Sequence, residues 1–346
     1  HKAGVRFVSI GNPVNSRKLT IMHEDKRHVF DIDALRDTWY KSSYLLDRRQ
    51  SGEQKALERY NNYKNQYLHH SFGHGFSGKA CDLGIDMHRR KPTGVKAAII
   101  REKGVNGDRE MAYALYLAGF EVKDIHTTDL ISGREDLSDV NMIVFVGGFS
   151  NSDVLGSAKG WAGALLYNEK AKKAIDRFYA RPDTLSLGVC NGCQLMMELG
   201  LLYPDYEEHP KMKHNDSHKF ESAFLDVEIA QNDSVMLSSL SGRRLGVWIA
   251  HGEGKFSFPC YKDKYNIVMT YGQNDYPGNP NGSDWSVAGL CSNDGRHLAM
   301  MPHLERAFLP WQWPYYPEAR KDDEVTPWIE AFVNARNWVA KHKKTK

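Results

Sequence analysis

Apolar runs and helical patterns alternate along the middle of the chain. VKAAIIRE, residues 95–102, has the length of a buried strand, and GDREMAYALYLAGF follows it with helical spacing that ends at Gly119. EVKDIHTTD, NMIVFVGGF and TLSLGVC predict three further strands, while NEKAKKAIDRFYARP and QLMMELGLL predict helices. Strands that alternate with helices in this way predict an α/β protein with a doubly wound, mostly parallel sheet flanked by helices.

The two ends of the chain have different patterns. Residues 1–50 carry short β-like pieces, VRFVSIG, KLTIMHE and RHVFDID, before a helix-like stretch, so they predict a short α+β unit. Residues 51–92 are polar and predict a linker. Their GHGFSG, residues 73–78, matches a dinucleotide-binding pattern, but no strand precedes it and no apolar helix follows. Beyond about residue 220 the pattern is β-like, and TPWIEAFVNARNWVAKH predicts an amphipathic terminal helix.

Composition narrows the class of protein. The 346 residues include 46 basic and 43 acidic side chains, and this near balance argues against a protein that mainly binds a nucleic-acid backbone. The five cysteines are an odd number, and we identify neither a signal peptide nor an apolar run near the roughly 18 residues of a membrane span. We therefore expect a reducing, cytoplasmic location, free thiols and no membrane partner.

A candidate nucleophile lies in GVCNG, residues 188–192. This G-x-C-x-G pattern, at the junction of a buried strand and a helix, has the form of a nucleophile elbow with Cys in place of Ser. Such a sharp turn strains its central residue, and Gly188 and Gly192 lack the side chains that would collide. The helix directs its N–H groups and positive end at Cys190, which favours a thiolate and can stabilise an oxyanion.

The C-x-x-C spacing of Cys190 and Cys193 also fits a zinc site or a redox dithiol. A zinc site needs a second pair of ligands, and Cys81, Cys260 and Cys291 are each isolated in the sequence. A redox dithiol and a simple buried cysteine remain open as alternatives for Cys190. Cys193 lies one turn into the predicted helix, where we expect it to pack in the core.

A nucleophile needs a base and a group that orients the base. In HLAMMPHLERAF, His303 follows an apolar strand and Glu305 comes two residues later, so both side chains can point to one side. His209, His214 and His218 could suggest metal ligands. Because they lie in a polar, loop-like segment, we expect them to be solvated.

These residues together resemble a known family. GVCNGCQ, HGEGKF and PHLER match the class I, triad-type glutamine amidotransferases. REKGVNGDREMA, GGFSNSDVLGSAKGWA, NPNGS and MMPHLERAF are similar to the glutaminase domain of the large phosphoribosylformylglycinamidine synthases, over roughly residues 93–340. The resemblance implies the end of a synthase portion at 1–50, a polar linker at 51–92 and a glutaminase domain at 93–346.

The resemblance also implies roles for particular residues. Cys190 attacks the side-chain amide of glutamine, His303 acts as general base and then acid, and Glu305 orients His303. The residues implied for the oxyanion, through their backbone N–H groups, are Gly148 and Asn191. The residues implied to contact bound glutamine are Gln194 and the HGEG loop (His251, Gly252, Glu253 and Gly254).

The implied reaction has two halves. Glutamine is hydrolysed through a thioester to glutamate and ammonia, without a cofactor and without a metal site in this chain. The synthase portion of the same polypeptide then uses the ammonia, with ATP and magnesium, to convert formylglycinamide ribonucleotide to the amidine. Two positions depart from the family pattern: Leu304 replaces a proline, and Ala223 replaces a basic residue.

Two alternatives remain at this point. One is a non-catalytic module that senses glutamine, although the complete Cys190, His303 and Glu305 set argues against a degenerate site. The other is a thiol hydrolase of the same fold with a different substrate, against which the HGEG and NPNGS segments argue.

Overall fold

The computed structural model describes residues 3–73 and 75–343. The chain divides into two compact units, His1–Tyr60 and Asn61–Lys346. Within the described residues, no helix is both long enough and apolar enough to cross a bilayer.

The N-terminal unit consists of a hairpin and a long helix. Strands β1, Lys18–His23, and β2, Lys26–Asp31, pair antiparallel, and helix α1, Ile32–Asn62, follows with a break at Gly52. Every residue of both strands is exposed. The predicted β-like piece VRFVSIG was wrong, because residues 5–11 form no strand.

The second unit is built on one nine-stranded sheet. Its strands in chain order are β3 Lys96–Arg101, β4 Glu121–His126, β5 Met142–Phe145, β6 Leu185–Val189, β8 Glu221–Ile229, β9 Arg244–His251, β11 Asn266–Tyr271, β12 Val287–Cys291 and β13 His297–Met300. Their order across the sheet is β4-β3-β5-β6-β13-β12-β11-β8-β9. The first five strands in this order, β4, β3, β5, β6 and β13, are mutually parallel. Each neighbouring pair in the rest of the order, from β13–β12 to β8–β9, is antiparallel.

Helices flank this sheet, and a small pair of strands lies apart from it. The helices are α2 Asp108–Ala118, α3 Thr127–Ser132, α4 Lys159–Leu166, α5 Glu169–Ala180, α6 Asn191–Glu198 and α7 Ile329–His342. The separate strands, β7 Lys211–Lys213 and β10 Lys255–Ser257, pair antiparallel. The predicted α/β architecture with a doubly wound, mostly parallel sheet is confirmed.

The inner parallel strands are buried on both faces, which explains why their sequences are apolar runs. All residues of β5 and β6 are buried, as are four of the six in β3. Helix α5 has its buried Ala171, Ala174 and Phe178 at helical spacing. Cys190 and His303 follow the ends of two neighbouring parallel strands, so the sheet brings them to the same edge.

The segment predicted as a polar linker is largely structured. Helix α1 continues through its first part, and Phe72, Phe76, Ala80 and Ile85 are buried in the core of the second unit. Ser71 exchanges two backbone hydrogen bonds with Arg244, of 2.7 and 3.2 Å. Within residues 73–78, Phe76 and Gly78 are buried, and His74 lies outside the described residues. The buried aromatic residues of this segment, Phe72 and Phe76, pack in the core, but they belong to no periodic pattern in the sequence.

Candidate active site

Cys190 occupies a strained turn between β6 and α6. Its backbone angles are φ 51° and ψ −106°, on the positive-φ side that residues other than glycine rarely adopt. The Cys190 N–H donates to the carbonyl of Met300 at 2.9 Å, and the side chain is almost wholly buried. The predicted strand–elbow–helix geometry is confirmed.

The glycines around Cys190 leave no room for a side chain. A Cβ at Gly188 would lie 2.6 Å from the carbonyl oxygen of Gly192, and one at Gly192 would lie 1.9 Å from that of Phe145. Both distances are far below van der Waals contact. The reason given for the glycines in the sequence therefore holds in the structure.

His303 and Glu305 form a buried pair just beyond β13. His303 Nδ1 lies 2.6 Å from Glu305 Oε1, and the N–H of His303 donates to the carbonyl of Trp248 at 2.8 Å. Burial by itself lowers the pKa of His303, but the Glu305 carboxylate and, next, Cys190 raise it to about 10. Nδ1–H therefore donates to Glu305.

The imidazole and the thiol meet at one position. A Cβ at Gly147 would lie 2.7 Å from His303 Cε1 and 3.4 Å from Cys190 Cβ. His303 Nε2 is buried and has no hydrogen-bond partner among the described residues. The Cys190 thiol makes a weak contact, at 3.5 Å, with the carbonyl of Ala250. The three predicted catalytic side chains are thus brought together.

Two backbone N–H groups near Cys190 are available to an oxyanion. Within residues 3–73 and 75–343, the N–H groups of Gly148 and Asn191 donate to no protein acceptor. Gly148 has φ +130°, and a Cβ there would lie 2.5 Å from the Asn106 nitrogen. The loop is fixed because the Asn106 N–H donates to Gly147 and that of Phe149 donates to Gly104. This arrangement agrees with the predicted oxyanion site.

Gln194 has a contact that the sequence did not predict. Its Nε2 donates to the carbonyl of Glu253 at 2.8 Å, and its Oε1 accepts from Asn191 Nδ2 at 3.0 Å. Asn191 Oδ1 accepts in turn from the N–H of Ser150 at 3.2 Å. This buried chain joins α6 to the HGEG loop. The expected contact of Gln194 with glutamine stays a prediction.

The HGEG loop begins at His251, the last residue of β9. Burial, with a smaller effect of His303, lowers the pKa of His251 to about 3, so its imidazole is neutral. This ring packs over Gly254, where a Cβ would lie 2.5 Å from Nδ1. Glu253 Oε2 accepts from the N–H of Ser157 at 3.3 Å, and a Cβ at Gly252 would lie 4.0 Å from the ring of Phe220. Their contacts with glutamine also stay predictions.

The second thiol plays no part in this arrangement, and the described histidine cluster reaches it only through His214, whose Nδ1 lies 3.9 Å from Glu253 Oε1. Cys193 is fully buried, which raises its pKa well above the ordinary value and favours a protonated thiol. His214 and His218 are exposed, and His209 is half-buried. In the described part of the chain, no group of three or more His, Cys, Asp or Glu side chains could hold a metal ion.

Asn215 is the main residue that sequence reasoning missed. It lies in the polar segment between the histidines, yet it is fully buried and binds the HGEG loop. No periodicity marks it, because a buried amide in an irregular segment looks like a solvated one. Of the two departures from the family pattern, Leu304 is buried in the core, and Ala223 is half-buried opposite Ile249 on β9.

Comparisons with known proteins agree with this geometry. Residues 94–339 match the family described as the CobB/CobQ-like glutamine amidotransferase domain. The probable phosphoribosylformylglycinamidine synthase, chloroplastic/mitochondrial, of Arabidopsis thaliana is 40% identical over 360 residues, which cover 95% of this chain and 25% of that protein. The phosphoribosylformylglycinamidine synthase of Homo sapiens is 40% identical over 335 residues, which cover 89% of this chain and 25% of that protein.

One solved structure is also similar. The structure of PurLQS from Thermotoga maritima matches with a TM-score of 0.54 and 27% identity, covering 72% of this chain and 99% of that chain. The chain spans about a quarter of the length of the two curated relatives, 25% in each case. The family match includes the elbow, the HGEG loop and the His303–Glu305 turn. The chain therefore belongs to the family of CobB/CobQ-like glutamine amidotransferase domains.

Proposed function

We propose that this chain is the glutaminase part of a phosphoribosylformylglycinamidine synthase, acting in de novo purine biosynthesis. The observation that carries the proposal is the strained Cys190 elbow against the buried His303–Glu305 pair. Relatives with that name are 40% identical over most of this chain, which supports the choice of the larger enzyme.

In the proposed first step, the Cys190 sulfur attacks the carbon of the glutamine side-chain amide. The thiol proton lies on Nε2 of His303, whose raised pKa keeps it there while the sulfur attacks. The amide oxygen becomes an oxyanion, which the N–H groups of Gly148 and Asn191 stabilise. His303 then returns the proton to the nitrogen, the C–N bond breaks, and ammonia leaves a thioester on Cys190.

In the second step, water attacks the thioester carbon and gives a proton to Nε2 of His303. The C–S bond breaks, glutamate is released, and the proton returns to Cys190. Glu305 holds the imidazole in the required orientation throughout. Neither step needs a cofactor.

The proposal places the second half of the reaction outside this chain. Ammonia would pass to the synthase portion of the same polypeptide, which uses ATP and magnesium to make formylglycinamidine ribonucleotide. Those cofactors would bind the part of the relatives that this chain does not cover. The proposed location is the cytoplasm, whereas the Arabidopsis relative is named chloroplastic/mitochondrial.

Glutamine hydrolysis by this chain, with and without the remaining synthase portion, tests the proposal. A glutamine-mimicking alkylator should modify Cys190 and not Cys193, as peptide mass spectrometry would show. Modification of Cys193 instead would contradict the assignment of the nucleophile. Glutamine binding without turnover in the presence of the synthase portion would replace the proposal with a sensing module.

A further inference from the structure

Three buried carboxamides from different parts of the chain hold the HGEG loop. Gln194 of α6 donates to the carbonyl of Glu253, and Asn281 of the NPNGS segment donates to the carbonyl of Gly254, each at 2.8 Å. Asn215 is the third, and none of the three is more than 2% exposed. Buried amides with these partners define one loop conformation, since each lost bond would leave a polar group unsatisfied.

Asn215 makes the most contacts with this loop. Its Nδ2 donates to the carbonyl of His251 at 2.8 Å and to that of Lys219 at 3.0 Å. Its Oδ1 accepts from the N–H of Gly254 at 2.9 Å, and its own N–H donates to Gly252 at 2.9 Å. The side chain therefore joins the two ends of the loop, and it must donate at one end and accept at the other.

The loop held in this way lies beside the nucleophile. Ala250, the residue before it, accepts the weak contact from the Cys190 thiol, and Gln194 ties its middle to the elbow helix. We propose that Asn215 is a positioning residue of the glutaminase reaction, which fixes the HGEG loop next to Cys190 in the conformation that receives glutamine. The inference rests on the proposed function.

Two variants distinguish a positioning role of the Asn215 side chain from a role in filling space. Asn215→Ala removes both hydrogen-bonding functions, whereas Asn215→Asp keeps the volume and can accept but, when ionised, cannot donate. Cys190 is modified either with a glutamine-mimicking alkylator or with methyl methanethiosulfonate, a small neutral thiol reagent. We expect both variants to react about 100-fold more slowly with the glutamine mimic, because the loop is misplaced. With the small reagent, their rates should stay within roughly twofold of wild type.

Asn232→Ala is the matched control. The Asn232 side chain also makes three hydrogen bonds, with Ala230, Ser241 and Ser234, but at a distant turn. Both of its labelling rates should remain at the wild-type level. If Asn215→Ala does not fold, Asn215→Asp carries the test.

Two results would overturn the inference in distinguishable ways. If Asn215→Asp reacts with the glutamine mimic at the wild-type rate, hydrogen-bond donation by Asn215 does not position the HGEG loop, while the proposed function stands. If wild-type Cys190 does not react with the glutamine mimic at all, the proposed function fails, and this inference fails with it.

Discussion

Strands β6 and β13 lie side by side and place a histidine near a hydroxyl or thiol group at each of their two ends. At the first end, Ser186 Oγ lies 3.0 Å from Nδ1 of His297, its partner in the strand register. At the second end, Cys190 and His303 meet over Gly147. The two pairs are similar in composition, but their surroundings differ in ways that decide their chemistry.

The first pair is a satisfied core contact. Tyr179 donates to Ser186 at 2.9 Å, and no carboxylate binds the ring of His297 among its described hydrogen bonds. Burial therefore dominates, and with Arg296 it lowers the pKa of His297 to about 4. The neutral imidazole accepts at Nδ1 from a serine in regular strand conformation. Proximity of a histidine to a hydroxyl is thus not sufficient for a nucleophile.

The second pair has the two features that the first lacks. Glu305 lies 2.6 Å from the imidazole of His303 and, opposing the effect of burial, raises its pKa. Cys190 has a positive φ at the start of a helix, which presents the sulfur beside free N–H groups. The carboxylate and the strained turn distinguish a candidate catalytic pair from a structural one.

The largest expected effect comes from removing the Cys190 thiol, compared with removing the Ser186 hydroxyl at the other end of the strand pair. Cys190→Ala should reduce glutamine hydrolysis by about 10⁴-fold or more, because no other side chain can form the thioester. Ser186→Ala should leave the rate within roughly threefold of wild type and cost about 1–3 kcal/mol of unfolding free energy, since two buried groups lose their partner. Steady-state kinetics and denaturant unfolding measure these effects. Equal losses of activity would contradict the comparison.

The Glu305 carboxylate should have the next largest effect. Glu305→Gln should lower the rate of glutamine hydrolysis on the order of 10³-fold, because His303 loses its orienting charge. The raised pKa of His303 contributes stability that is complete below about pH 6.5 and is lost as the pH rises through about 10. The stability difference from wild type should therefore be largest near pH 6.5 and shrink towards pH 10, as urea unfolding would measure.

Glu228→Gln is the control for this charge. It removes a carboxylate that pairs with Arg244 at 2.9 Å on β8, away from His303. Its rate and the pH dependence of its stability should follow wild type. A Glu305→Gln variant that keeps the wild-type pH dependence would show that Glu305 does not set the charge of His303.

The sequence predicted one side of this site better than the other. The elbow is a local pattern of a strand, two glycines and a helix, so Cys190 could be placed from its neighbours alone. His303 and Glu305 follow a second parallel strand; the sequence offered them as candidates, and the resemblance gave them their roles beside Cys190. Asn215 was out of reach, because its partners in the HGEG loop lie about 36 residues away in an irregular segment.

The smallest expected effect concerns His297, which pairs with Ser186 at the first end of strands β6 and β13. His297 is neutral in the folded protein, with a pKa of about 4, and has an ordinary pKa near 6.5 when unfolded. Its contribution to stability is therefore complete above about pH 6.5 and is lost as the pH falls towards 4, at about 1.4 kcal/mol per pH unit. His297→Asn should reduce the slope of unfolding free energy against pH by nearly this amount over that range.

The control, His218→Asn at an exposed position, should leave the slope unchanged. Denaturant unfolding between pH 4 and 7 measures both, and an unchanged slope in His297→Asn would mean that His297 carries its proton in the fold, as His303 does.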